Sequence, residues 1–253
     1  MSTAAWLRLA LMAGLFLLLE IFCRIGAIDS RVMIPPSEMV VSLVSLLQTR
    51  QLAVDMLQTF GAIAIALLFA VAAGFAAGLV IHALPRLRRA LDPFLATYYA
   101  VPLFIFYPVL IAFFGISVLP IIIMGFAFAV VSVIMSTLNG LDHVPRVLRK
   151  VARVHRLSPF STVTRLIIPS VAPHLFTGVK LAVAYCFIGV IASEFIASST
   201  GIGHAIAYAY SDFNNRTMYG LILLIVTVVI TINMTLHHYE GKISRRMARR
   251  PAK

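Results

Sequence analysis

The segment Thr59–Ala83, with the sequence TFGAIAIALLFAVAAGFAAGLVIHA, decides the fold class. It contains no acidic residue, no lysine and no arginine, and His82 is its one ionisable side chain. A helix needs roughly 20 mostly apolar residues to cross the hydrocarbon core of a bilayer. The segment therefore predicts a membrane-spanning helix.

The composition of the whole chain agrees with this interpretation. Of its 253 residues, 61% are hydrophobic and 12% are charged, and the mean hydropathy is +0.98. Soluble domains carry roughly 25% charged residues. The net charge of +12 does not indicate a nucleic-acid-binding protein, because the charges lie in short gaps between apolar runs and not on a soluble basic face with interleaved aromatics.

Further apolar runs have nearly the same length and occur at about 6–23, 95–114, 118–138, 175–198 and 218–236. Together with Thr59–Ala83 they predict an all-α integral membrane protein of about six transmembrane helices. A signal peptide is the alternative for the first run. Only Arg8 precedes its apolar part and no small-residue cleavage site follows, so a retained helix is favoured.

The distribution of basic residues predicts the orientation. Most of the 21 lysines and arginines lie between the second and third spans, between the fourth and fifth, and after the sixth. The positive-inside rule then places these segments and both termini in the cytoplasm. Segments 24–58, 115–117 and 199–217 would face outward.

Three parts follow from this topology. Residues 1–54 form the first transmembrane helix and an outer segment, in which Ser37 is the predicted N-cap of a short interfacial helix. Residues 55–240 form the core, with a cytoplasmic loop at 139–174. Residues 241–253 form a basic cytoplasmic tail.

The polar and aromatic side chains inside the spans are candidates for a translocation path. They are Tyr98, Tyr99, Tyr107, Ser132, Ser136 and Glu194. Pro102 and Pro108 favour kinks in the span that carries the tyrosines. The alternative for the tyrosines is lipid-facing or interfacial aromatics, and for the serines and Glu194 it is a hydrogen bond within the protein. Gly74 and Gly78 indicate close helix packing within the chain, with a contact to another subunit as the alternative.

No catalytic, metal-binding or ATP-binding pattern is present in the sequence. Cys23 and Cys186 do not have the spacing of a zinc site or a disulfide framework. We therefore expect a transport protein rather than an enzyme, with no metal or cofactor of its own. Energy for active transport would come from a partner or from an ion gradient.

The loop from Leu141 to Pro173 predicts a helix, a turn and a second helix. Pro145 can begin the first helix, and Ser158 with Pro159 has the pattern of an N-cap followed by the first helical residue. Such a basic loop could bind anionic lipid, or it could dock on a cytoplasmic protein.

This loop resembles the Glu-Ala-Ala loop of ABC importer permeases. Lys150-Val151-Ala152 occupies the Glu-Ala-Ala place, Arg156 the glycine place, and Ile168-Pro169 the apolar-proline end, with Pro173 as a second proline. From about Asp55 to Leu236 the chain is similar to permeases of the nitrate, sulfonate and taurine importer group. The matching landmarks are Arg88-Arg89-Ala90-Leu91-Asp92-Pro93, Val101-Pro102, Phe114-Gly115-Ile116, and Glu194 followed by Ser199-Thr200-Gly201-Ile202-Gly203.

The resemblance implies the architecture of a type I ABC importer permease in the bacterial inner membrane. Two permease subunits, here a homodimer, would surround the path. Separate ATPase subunits would bind ATP and magnesium, and a periplasmic or lipid-anchored solute-binding protein would deliver the solute. The solute would be nitrate-, sulfonate- or taurine-like, or a thiamine precursor. The alternative function is an ion-coupled secondary transporter.

The resemblance also implies which residues contact the ATPase. They are Ala152, Arg153, Val154, His155, Arg156, Leu157, Ser158, Pro159 and Phe160. Two residues depart from the family pattern, since Lys150 replaces its glutamate and Arg156 its glycine. The glycine permits a left-handed backbone at the turn, which an arginine resists by about 1 kcal/mol or more.

Overall fold

The computed structural model describes residues 3–144, 147, 150, 154, 156 and 158–248, and all regular secondary structure there is helical. Its α-helices are α1 Thr3–Arg24, α2 Pro36–Leu47, α3 Arg50–Ala83, α4 Pro85–Thr97, α5 Tyr107–Phe114, α6 Val118–Asp142, α7 Pro159–Thr162, α8 Ile168–Ala197, α9 Ile202–Ser211 and α10 Asn215–Ala248. Two 3-10 turns, Tyr98–Ala100 and Leu103–Phe106, lie between α4 and α5. A π-helical turn, Val163–Ile167, leads into α8.

Among the described residues, four helices are long and apolar enough to span a membrane: α3, α6, α8 and the Asn215–Glu240 part of α10. Helix α4 and helix α5, with the turns between them, form a fifth candidate that is bent by 89°. Helix α1 has 22 residues, and some of its side chains lie outside the described residues. The second, fourth, fifth and sixth predicted spans are thus confirmed as helices, and the total of six stays a prediction.

The third predicted span is not one continuous helix. The chain breaks at Pro102, whose ring prevents a helical residue before it, so the expected kink there is confirmed as a full break. Pro108 instead lies in the first turn of α5, where no backbone N–H donor is needed, so the kink expected there is absent. A tight turn follows this span, since α5 ends at Phe114, Gly115 has φ 71° and α6 begins at Val118.

Several predicted helices were too short. Helix α3 begins at Arg50 and not near Thr59, because Leu52 and Asp55 bury one side of a polar first turn. Helix α8 begins at Ile168, and α10 continues to Ala248. The segment 199–217, which is predicted to face outward, contains a helix, α9, that the sequence did not predict.

The chain divides into two compact units, and the boundaries fall within α3, α8 and α10. The first unit consists of Met1–Thr59 and Glu194–Val228, and the second of Phe60–Ser193 and Val229–Lys253. In the first unit, Ser37 is not the N-cap of α2, because that helix begins at Pro36 after Pro35. The Ser37 hydroxyl and N–H instead donate to the Glu20 carboxylate at 2.7 and 3.0 Å.

Glycines allow the long helices of the second unit to approach closely. A Cβ built on Gly74 would lie 2.8 Å from that of Val133, and one on Gly78 would lie 2.7 Å from that of Thr137. These distances are too short for any side chain larger than hydrogen, so the α3 backbone contacts α6 side chains at both glycines. The prediction that both glycines serve packing within the chain is confirmed.

Candidate coupling loop and translocation elements

The second helix of the loop between α6 and α8 begins as the sequence predicts. The Ser158 hydroxyl accepts a hydrogen bond from the Ser161 N–H at 3.2 Å, and the Ser158 carbonyl accepts one from Thr162 at 2.8 Å. Helix α7 then begins at Pro159. Ser158 is therefore the N-cap and Pro159 the first helical residue, an arrangement that uses the serine oxygen for one free N–H of the first turn.

Arg156 has a left-handed backbone, with φ 47°. Arg156 stands where the resemblance implies a glycine, and it adopts the left-handed conformation although an arginine resists it. The arginine therefore resists this conformation by about 1–2 kcal/mol. Its side chain is exposed.

Much of the proposed ATPase contact lies outside the described residues. This applies to Ala152, Arg153, His155 and Leu157, to most of the first predicted loop helix, and to the side chains of Pro159 and Phe160. Within the described part, Val154 is 79% exposed.

The two ends of the loop are packed together. Leu141, Val144 and Val171 form a buried cluster, against which Leu79, Ile167 and Leu175 pack. A Cβ on Gly140 would lie 2.5 Å from a methyl carbon of Val171, so α6 and α8 are in direct contact there. The loop therefore begins and ends at the same closely packed cluster.

The predicted path tyrosines lie on both sides of the break before α5. The hydroxyls of Tyr98 and Tyr99 donate to the carbonyls of Ala127 and Phe128 on α6, at 3.1 and 3.2 Å. The ring of Tyr99 stacks on that of Tyr185 with centroids 4.5 Å apart. These two hydroxyls thus do not face lipid, because both donate hydrogen bonds within the protein.

Tyr107, Ser132 and Ser136 are also packed within the second unit. Tyr107 is 1% exposed. The Ser132 hydroxyl lies 2.7 Å from the Ala129 carbonyl and 3.4 Å from the Gly178 carbonyl on α8, and Ser136 packs directly against Gly178. Hydrogen bonding of Ser132 within its helix and to a neighbour is confirmed. A role of these residues in a path stays a prediction.

Glu194 belongs to a buried polar network in the first unit. Its carboxylate accepts hydrogen bonds from the Thr59 hydroxyl and the Gly203 N–H, each at 2.9 Å. Thr59 in turn accepts the Ile202 N–H at 2.8 Å. Thr59 is fully buried and Glu194 is 2% exposed, so the predicted bond to a neighbouring helix is confirmed.

Asp55 completes this network and was missed by the sequence analysis. Its carboxylate accepts the Gly201 N–H at 3.1 Å, and Asp55 is 5% exposed. The first backbone N–H groups of α9 are thus bound by side chains of α3 and α8. Negative charge at a helix N-terminus is stabilised by the helix dipole, which explains two buried acids near one helix start. The pattern Ser199-Thr200-Gly201-Ile202-Gly203 after Glu194 marked this region in the sequence, but it did not indicate that Asp55 is a partner.

A second missed pair lies at the base of the loop between α6 and α8. The Arg88 guanidinium donates to both carboxylate oxygens of Asp142, at 2.7 and 2.6 Å. In the sequence Arg88 lies in a predicted cytoplasmic segment and among the landmarks of the resemblance, but neither observation indicates its partner. Charge counting locates such a residue but does not identify its partner 54 positions away.

The comparisons with known proteins agree with this architecture. The family model described as "Binding-protein-dependent transport system inner membrane component" matches residues 70–249. The chain belongs to this family. It is accordingly an ABC transporter permease component of an inner-membrane import system and not itself the ATPase.

Three relatives are permease proteins named for different transport systems. The nitrate import permease protein of Leptolyngbya laminosa is 29% identical over 185 residues, which are 73% of this chain and 65% of that protein. The putative aliphatic sulfonates transport permease protein of Bacillus subtilis is 24% identical over 229 residues, covering 89% of this chain and 83% of the relative. The taurine transport system permease protein of Escherichia coli is 24% identical over 195 residues, covering 77% and 70%. The chain thus spans slightly less than two thirds of the nitrate permease's length.

Among solved structures, a chain of an inward-facing methionine ABC transporter is similar in fold. The TM-score is 0.64 at 17% sequence identity, and the match covers 76% of this chain and 96% of the other. This likeness shows that the permease shares a fold with that chain.

Proposed function

We propose that this permease forms the translocation path of an ATP-driven importer and receives movement from a cytoplasmic ATPase through residues 152–160. The observation that carries the proposal is the left-handed Arg156 followed by the helix start at Ser158 and Pro159. This is a turn followed by a helix start, as in the second half of the predicted helix-turn-helix, and it lies inside the segment that matches the family. The ATPase subunits would bind ATP and magnesium.

The solute belongs to the classes named for the relatives. Their names include nitrate, aliphatic sulfonates and taurine. We propose a small solute of this kind, or a thiamine precursor, delivered by a periplasmic or lipid-anchored binding protein to a homodimer of the permease. The path would include the predicted residues Tyr98, Tyr99, Tyr107, Ser132, Ser136 and Glu194. Both termini would be cytoplasmic.

The charge of the loop constrains its partner. Lys150 replaces the family glutamate, and the nearby residues 153 and 156 are arginines. A cationic loop is attracted to an acidic surface and repelled by a basic one. The ATPase is therefore expected to present an acidic groove to this loop.

Affinity purification tests the proposal. The tagged permease is isolated from native membranes as wild type and with Arg153, His155 and Arg156 changed to alanine. Arg86→Ala with Arg89→Ala is the control, since it also removes two cations from the same predicted side of the membrane. We expect the ATPase to be recovered with the wild type and the control and lost from the loop variant. Equal recovery with all three would contradict the assignment of residues 152–160.

Uptake into proteoliposomes separates the importer from the alternative function. The permease is reconstituted with its ATPase, and the solute-binding protein is supplied on the opposite side of the membrane. It should then import a radiolabelled solute, chosen from nitrate, taurine and an alkanesulfonate, only when ATP is present on the ATPase side. An ionophore should leave this import unchanged. Uptake by the permease alone that is abolished by an ionophore would instead indicate an ion-coupled secondary transporter.

A further inference from the structure

We propose that Arg88 is a positioning residue that fastens helix α4 to the end of helix α6 where the cytoplasmic loop begins. Displacement of the loop would then move α4 together with α6. The inference rests on the proposed function, because it assumes that the loop is the site at which the ATPase acts. It adds a residue outside the loop to the route by which movement reaches the membrane.

The contact between Arg88 and Asp142 has the geometry of a specific attachment. Two guanidinium nitrogens face two carboxylate oxygens, at 2.7 and 2.6 Å. A two-point contact of this kind fixes orientation as well as distance. Asp142 is the last residue of α6. His82 lies 3.5 Å from the same carboxylate, so the end of α3 meets this point too.

Helix α4 is held against α6 at further points along its length. Leu87, Leu91 and Leu95, one helical turn apart, pack against a buried cluster that contains Ile134 and Leu138. Beyond them, the hydroxyls of Tyr98 and Tyr99 donate to α6 carbonyls at residues 127 and 128. From residue 128 to residue 142 a helix rises about 20 Å. The two helices are thus joined at both ends of this distance, and Arg88 makes the join at the loop end.

The position of α4 gives this join a consequence. Helix α4 leads directly into the broken segment before α5, where the chain bends by 89°. That segment carries Tyr98 and Tyr99, two of the predicted path residues. A loop movement that reaches α4 therefore reaches the bend, and without Arg88 it would have to pass from α6 through the leucine contacts and the tyrosine hydroxyls, which lie farther from the loop.

The ion pair is suited to positioning rather than to overall stability. The side chains of Arg88 and Asp142 are 30% and 38% exposed. Ion pairs with this degree of exposure add little to folding stability. Loss of Arg88 should thus leave a folded protein in which loop and α4 are joined less firmly, and the affected quantity should be the efficiency of coupling.

The test measures ATP hydrolysed per solute imported by the complete transporter in proteoliposomes. The variants are Arg88→Ala, Asp142→Ala, the two combined, and Arg88→Lys. Lysine keeps the charge but cannot make the two-point contact. The control is Lys180→Ala, which breaks the 2.7 Å ion pair with Glu240 elsewhere in the same unit. Basal ATPase activity and the thermal unfolding midpoint are recorded for each variant.

We expect Arg88→Ala to raise the ratio of ATP to solute by about fivefold or more, with the unfolding midpoint and the recovery of ATPase unchanged. Arg88→Lys should shift the ratio in the same direction, the combined variant should be no worse than Asp142→Ala, and Lys180→Ala should match the wild type. An unchanged ratio for Arg88→Ala, an additive combined variant or an equal effect of Lys180→Ala would overturn the inference while the wild type remains ATP-coupled. A wild type whose import does not need ATP would overturn the proposed function, and the inference with it.

Discussion

The hydroxyl oxygen of Thr59 lies 2.9 Å from each carboxylate oxygen of Glu194, although the two residues are 135 positions apart. The same oxygen accepts the N–H of Ile202, the first residue of α9. One buried hydroxyl thus connects α3, α8 and the start of α9. In a buried site each group that loses its partner is left without water to replace it.

Replacing Thr59 with valine should therefore destabilise the protein. Valine has nearly the same shape but neither donates to Glu194 nor accepts from Ile202. We expect a loss of about 1–3 kcal/mol in the free energy of unfolding, measured by detergent-induced unfolding in mixed micelles. Thr235→Val is the control, because Thr235 is exposed and its hydroxyl donates to the Thr231 carbonyl of its own helix. A similar loss for both variants would contradict the role of the network.

Gly201 should tolerate no side chain for a related reason. It has φ 100°, and a Cβ there would lie 2.5 Å from the Glu194 carboxyl carbon. We expect Gly201→Ala to lower the free energy of unfolding by at least about 1 kcal/mol from backbone strain, with a further loss from displacement of the carboxylate. Gly61→Ala is the matched control, since Gly61 lies within α3 with no atom within 4 Å of its Cβ position. That variant should be neutral or more stable by up to about 1 kcal/mol. An equally destabilised Gly61→Ala would contradict the assignment of the loss to the backbone and surroundings of Gly201.

The spans were predictable because each depends on a local property of the sequence. An uncharged apolar run such as Thr59–Ala83 needs a helix to satisfy its backbone in lipid, whatever surrounds it. The start of α7 was equally local, since Ser158 and Pro159 are adjacent and cap the helix themselves. The close packing at Gly74 and Gly78 also followed from residue size alone.

The remaining features depend on partners that are distant in the chain. Helix α9 has ten residues and is fixed by Asp55, Thr59 and Glu194, so its own sequence gives little sign of it. The same holds for the start of α3 at Arg50, which is polar and was therefore assigned to an outer segment. Ser37 was misassigned because a serine before an acidic residue has the pattern of an N-cap, whereas its hydroxyl bonds Glu20 on α1.

Arg156 offers a test of whether the loop depends on its backbone or on its side chain. Glycine adopts the left-handed conformation without strain, but it also gains freedom in the unfolded chain. We expect Arg156→Gly to change the unfolding midpoint little and to keep the ATPase in affinity purification. Arg156→Val should lose it, because a β-branched residue is a genuine outlier at positive φ. Loss of the ATPase from both variants would instead assign the contact to the guanidinium group.

The orientation of the chain can be tested by cysteine labelling. Cys23→Ser and Cys186→Ala remove the native thiols, and single cysteines are then placed at Phe213, which is 89% exposed, or at Arg86. The positive-inside rule predicts that Phe213 faces outward and Arg86 inward. A membrane-impermeant maleimide should therefore label Phe213→Cys in intact spheroplasts, and Arg86→Cys only after permeabilisation. The opposite pattern would place residues 139–174 outside the cell, where no ATPase could reach them, and would refute both the coupling loop and the role of Arg88.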